Sequence, residues 1–183
     1  MKIKIALVIL LLSSLGLQGC GARTDEAKNQ TGSAPSNSSA RKASGKIDAC
    51  TLLTKTDAEA LLGGAVKEPT TTHNENGGTV VTQCHYSNEA GDKQVGLLAR
   101  QAPSAAEARQ VFESARSAAK SLSGVDPQTI SGLGDDAYWT GGNLAQLNVL
   151  KNDLWLVISA RQGKADRWGA TKDVANKVLS HLQ

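Results

Sequence analysis

TVVTQCHYSNEAGDKQVGLLARQ, residues 79–101, is the stretch whose reading decides the fold class. Residues 79–87 and 93–101 are rich in β-branched and alternating side chains, and the loop 87–92 between them contains Asn88 and Gly91. That pattern predicts two strands closed into a hairpin. Further along, residues 136–140, 144–150 and 154–161 read as three more strands, with Gly141-Gly142 and Lys151-Asn-Asp153 as the turns between them. Consecutive strands joined by tight turns argue for an antiparallel sheet.

Helical signals surround these strands. Thr56-Asp-Ala-Glu59 has the form of a capping box, Ala60, Leu61 and Leu62 supply an apolar side, and Gly63-Gly64 stops the helix. A second capping box, Ser104-Ala-Ala-Glu107, follows Pro103, and Ala108, Val111, Phe112, Ala115, Ala119 and Leu122 then recur at helical spacing. Residues 124–134 read as a connection. A last helix over 165–182 presents Trp168, Thr171, Val174, Val178 and Leu182 on one stripe. The expected fold is therefore α+β, in the order α, β, β, α, β, β, β, α. It is a single domain over residues 47–183, an antiparallel sheet of about five strands with three helices packed on it.

Upstream of residue 47 the chain changes character. Met1-Lys-Ile-Lys is a short positive region, and an apolar run from Ile5 to Leu12 follows it. The run is too short for a bilayer core of about 30 Å, which needs roughly 20 residues, and it matches a secretory signal. It ends in Leu17-Gln18-Gly19-Cys20, which resembles the lipobox of bacterial lipoproteins. The resemblance implies cleavage after residue 19 and lipid on Cys20, with several acyl chains anchoring the protein to a membrane. Gly21, rather than Asp, follows the cysteine. In the enteric sorting rule this leans towards the outer membrane, with the domain facing the periplasm. Residues 21–46 contain no Leu, Ile, Val or aromatic residue. They are expected to form a flexible linker whose reach is on the order of 25–30 Å.

Of the three cysteines, Cys20 is assigned to lipid, which leaves Cys50 and Cys84. In an oxidising compartment a disulfide between them is the expected state. Loss of Lys2 and Lys4 with the signal leaves 18 basic residues against 17 acidic ones. With no basic cluster beyond Arg41-Lys42, nucleic acid is excluded as a partner. Only six aromatic residues occur, so the core must rest on Leu, Val, Ile and Ala, and a large aromatic-lined pocket is disfavoured.

Three short motifs carry a family resemblance. Asp48-Ala-Cys50-Thr-Leu-Leu-Thr-Lys-Thr-Asp-Ala-Glu-Ala-Leu-Leu-Gly63 opens the domain, Cys84-His-Tyr86 follows on a strand, and Gly132-Leu-Gly-Asp-Asp-Ala-Tyr-Trp139 comes later. Together they resemble the DUF3558-type family of exported bacterial lipoproteins and related extracellular sensor-like domains, over residues 47–160. The resemblance implies a disulfide, an α+β fold and tethering at a surface. It brings no activity and no catalytic residue.

Catalytic constellations are scarce. His73, His85 and His181 are the only histidines and no two stand at metal-ligand spacing, so no metal is expected. No nucleophile elbow or phosphate loop is present, and the glycine pairs read as turns, so no cofactor is expected. Asp135-Asp136 lies beside Tyr138 and Trp139, a grouping found in sugar sites. Adjacent side chains on an extended segment point to opposite faces, however, and a turn in which an Asp bonds local amides is the simpler reading. The leading expectation is a non-enzymatic binding or interaction domain for an envelope protein or small ligand, with Asp135, Asp136, Tyr138 and Trp139 as the candidate surface. The alternatives are a periplasmic hydrolase using Asp135 or Asp136, and a purely structural envelope protein.

Overall fold

The structure, a computed structural model, describes residues 45–162 and 166–182. The signal sequence, Cys20 and nearly all of the linker lie outside the described residues, as does the expected start of the last helix at Ala165.

The domain begins with a short helix, α1 (Ala49–Leu52), that was not expected. Its cap is Asp48, which accepts a hydrogen bond from the Cys50 amide at 2.8 Å. Helix α2 (Lys55–Leu62) starts two residues earlier than the Thr56 box predicted. Thr54 is the cap: its hydroxyl accepts from the Asp57 amide at 3.2 Å, and Asp57 Oδ2 accepts from the Thr54 amide at 3.1 Å. Two overlapping boxes compete here, and burial of Leu52 and Leu53 sets where the chain turns, which favours the earlier one. Gly63 ends the helix in the left-handed region, as expected (φ 76°).

Among the described residues seven strands form one antiparallel sheet, not five, in the order β1-β2-β3-β7-β6-β5-β4. The two additions are the edges. Strand β1 (Thr70–Asn76) is exposed along its whole length and contains no apolar residue, so it carries no hydrophobic pattern to read. It is set by its hairpin to β2 (Thr79–Ser87), where Gly77 and Gly78 both take positive φ, 56° and 77°. Strand β4 (Gln128–Thr129) is two residues long. Strands β2 and β3 (Lys93–Gln101) have the expected bounds and pair as expected. Strands β5 (Asp136–Trp139), β6 (Leu147–Lys151) and β7 (Leu154–Gln162) lie close to their predicted positions. With α3 (Ala105–Ser123) and α4 (Arg167–Ser180), the helices among the described residues number four rather than three.

Strand periodicity divides the side chains between two faces. Cys84 and Tyr86 of β2, Val95, Leu97 and Ala99 of β3, and Leu154, Leu156, Ile158 and Ala160 of β7 share one face. Helices α1, α2 and α4 cover it, with Leu52, Leu53, Leu62, Val174 and Val178 in the larger core. Full burial of each such side chain stabilises by about 1.5–3 kcal/mol. The disulfide Cys50–Cys84, with 5.1 Å between Cα atoms, ties α1 onto β2. The Ala49 amide reinforces the tie by donating to buried Thr82 Oγ1 at 3.0 Å.

On the opposite face α3 is the one helix that packs among the described residues, placing Ala108, Phe112 and Ala119 against Tyr138, Leu150 and Trp155. Its cap is Ser104, as expected, accepting from the Glu107 amide at 3.2 Å. The buried stripe ends on Ser123 rather than Leu122: Ser123 is buried in the last turn, and Leu122, one position off the stripe, is 65% exposed.

Candidate functional site

The segment expected to carry the site is built around Gly132 and Gly134, both with positive φ (80° and 61°). A Cβ at Gly134 would strike the Leu150 carbonyl and the Val149 side chain, so only glycine allows the chain to enter β5 this close to β6. Asp135 and Asp136 then diverge. Asp135 Oδ2 accepts from the Asn152 amide at 2.6 Å and Oδ1 from Lys151 Nζ at 3.2 Å, which pins the β6–β7 turn. Partial burial pushes the Asp135 carboxyl up, but these hydrogen bonds outweigh it and hold it below the usual range. Asp136 takes both ends of the Arg116 guanidinium, at 2.9 and 3.3 Å.

The two aromatics part in the same way. Tyr138 is 1% exposed and meets Phe112 edge-on with 5.0 Å between centroids. Arg116 stacks over both rings, and burial pushes the Tyr138 hydroxyl up to about 12. Trp139 points to the other face, half-buried, and packs edge-on against Trp168 at 5.3 Å. The four candidates therefore do not form one surface. Strand alternation sends Tyr138 and Trp139 into two different cores, and each carboxylate is held by its own local partner.

A concave region does occur where α3 leaves the sheet uncovered. Two cross-strand rows form its floor. One is Thr70, His85, Gly96 and Ser159, and the other is Thr72, Gln83, Leu98 and Val157, each running across β1, β2, β3 and β7 in register. A hollow of about 290 Å³ lies over them, with Gln146 at one side. Gly96 makes the floor low. A Cβ there would come within 3.1 Å of the His85 ring and 3.2 Å of Ser159 Oγ. A second hollow of about 150 Å³ shares His85 and Ser159 and continues to Gln94, Arg161 and Arg167.

Sequence reasoning missed this region. Its one sequence signal is Gly96 inside a strand pattern, which marks a close approach or a gap in the side-chain layer. The other residues are ordinary polar positions whose company depends on which strands are neighbours. His85, expected to be a half-buried strand residue, is that and also borders both hollows.

Elsewhere, buried Asp57 joins α2 to the end of α4. His181 Nε2 lies 3.1 Å and Lys177 Nζ 3.5 Å from its carboxylate. Burial pushes the Asp57 carboxyl up, but the bonds from Thr54, with His181 and Lys177, bring it below its ordinary value. Among the described residues no group of three His, Cys, Asp or Glu side chains is placed to hold a metal ion. Among them, too, no helix is long and apolar enough to cross a membrane.

Fold and disulfide define the class: an α+β domain with a seven-stranded antiparallel sheet, three helices on one face and one on the other. No family model matches the chain, and no curated protein matches it. Among solved structures the chain is similar to the extracellular domain of PknH from Mycobacterium tuberculosis. The TM-score is 0.51 at 12% identity, covering 72% of this chain and 92% of that one. At that identity the likeness is one of fold.

Proposed function

We propose that this chain is a non-enzymatic binding domain of the bacterial cell envelope, tethered by lipid on Cys20 and capturing its ligand on the uncovered half of the sheet. The observation that carries the reading is the hollow over Gly96, a floor four strands wide on which polar side chains alternate with apolar surface and which α3 leaves open. The lipobox-like Leu17–Cys20, the polar linker and the Cys50–Cys84 disulfide support an exported, membrane-held domain. The three DUF3558-type motifs agree with it, and so does the shared fold with an extracellular domain. The anchor is proposed to sit in the outer membrane and face the periplasm.

This geometry favours binding over hydrolysis through Asp135 or Asp136. Their carboxylates are turned apart, and Arg116 occupies Asp136 at both oxygens. Asp136→Asn is accordingly expected to leave any hydrolytic background unchanged in a substrate screen, and a selective loss would restore the enzyme reading.

Two variants test the proposal. Cys20→Ala should move the protein from the membrane to the soluble fraction and abolish labelling with a fatty-acid probe. Gly96→Val should keep the fold but fill the hollow. Envelope constituents that raise the Tm of the wild type are expected not to raise that of the variant, and equal stabilisation of both would overturn the assignment of the site.

A further inference from the structure

Resting on that reading, we infer that the ligand is a sugar acid: a hydroxyl-bearing ring carrying one carboxylate. The two hollows share His85 and Ser159 and so adjoin, which lets a ligand seated in the first reach the second. Their chemistry differs from end to end. The first presents neutral hydrogen-bonding side chains, Thr70, Thr72, Gln83, Gln146 and Ser159, spaced by strand separation of about 4.8 Å. Leu98 and Val157 lie among them as apolar ground for ring C–H groups. The second ends on Arg161 and Arg167. Among the described residues no Asp or Glu lines either hollow.

Neutral donors and acceptors at one end and two guanidinium groups at the other complement a polyhydroxyl body with an anion at its edge. The guanidinium fork fits a carboxylate with two parallel bonds. Arg161 spends one donor on the Gly91 carbonyl at 3.3 Å, which steadies the side chain beside the hollow. Among the described residues no Phe, Tyr or Trp lines the hollow, so selectivity comes from hydrogen bonds and charge rather than stacking on such a ring.

The test is titration calorimetry on the full chain, extracted in detergent, with N-acetylmuramic acid and N-acetylglucosamine, which differ by a lactyl carboxylate. The wild type should bind the acid about tenfold tighter or more, the size of charge-assisted hydrogen bonding to one carboxylate. The double variant Arg161→Gln, Arg167→Gln should lose that preference and keep the affinity for the neutral sugar. Gly96→Val should lose both. Equal wild-type affinities, or a preference that survives the double variant, would overturn the sugar-acid inference while leaving the hollow as a binding site. Failure of both sugars to bind the wild type would overturn it as well. The fate of the hollow itself is then decided separately, by the Gly96→Val comparison over the wider ligand panel.

Discussion

Leu156 and Val157 are neighbours on β7, yet they belong to two different parts of the molecule. Leu156 is fully buried under the face that α1, α2 and α4 cover, whereas Val157 borders the hollow on the face where α3 packs alone. The same alternation holds along β3, where Leu97 is core and Leu98 lines the hollow. One face is closed by three helices and a disulfide, and the other is closed over β5, β6 and part of β7 only. The difference teaches that the strands are equivalent and the covering elements are not. Burial is concentrated where helices cap the sheet, and the hollow lies where they end.

The comparison breaks first at its own weak side. Phe112 is the large side chain by which α3 closes its half of the open face, and Phe112→Ala is expected to cost about 3–5 kcal/mol in urea unfolding. The same change should let the Tyr138 hydroxyl fall from about 12 towards the ordinary value near 10, read by ultraviolet titration. A cost below about 1 kcal/mol would show that α3 is an appendage rather than the second core.

On the covered face, Cys50→Ala with Cys84→Ala opens a loop of about 35 residues and should cost roughly 3–4 kcal/mol. Equal Tm values for the oxidised and reduced wild-type protein would contradict that. A smaller effect belongs to Asp57. Its carboxyl is lowered on folding, so its stabilisation is complete above the ordinary value of about 3.9 and is lost as pH falls through the folded value. Asp57→Asn is expected to cost about 1 kcal/mol near neutral pH, with the gap from wild type closing in acid. A gap independent of pH would locate the effect in packing. Smallest of all, Val157→Ala should change stability by no more than about 0.5 kcal/mol. It should nonetheless weaken whatever the hollow binds.

Much of this was legible in the chain itself. Residues 79–101 announce a hairpin by alternation and turn chemistry, and the observed strands keep those bounds. Ser104 and Gly63 mark helix ends because capping is local chemistry that short windows contain. Strand β1 was not legible, since an edge strand with both faces exposed needs no apolar residues. The site failed for a related reason. Tyr138 and Trp139 drew attention as rare aromatics, but rare large side chains are what a small core consumes first. Thr70, His85, Gly96 and Ser159 come from four strands, and nothing local reveals that β7 lies beside β3.

That position of β7 governs how the domain can come into being. The last in sequence of the described strands stands in the middle of the sheet, between β3 and β6. Before residues 154–162 exist, β1-β2-β3 and β4-β5-β6 are two separate ribbons, each with a bare inner margin open to other chains. Neither can close alone, so the domain assembles like an arch that stands only when its keystone is set. Its long-range pairings are expected to make that step slow. A chain cut short before residue 154 would leave two adhesive fragments, not a smaller working domain.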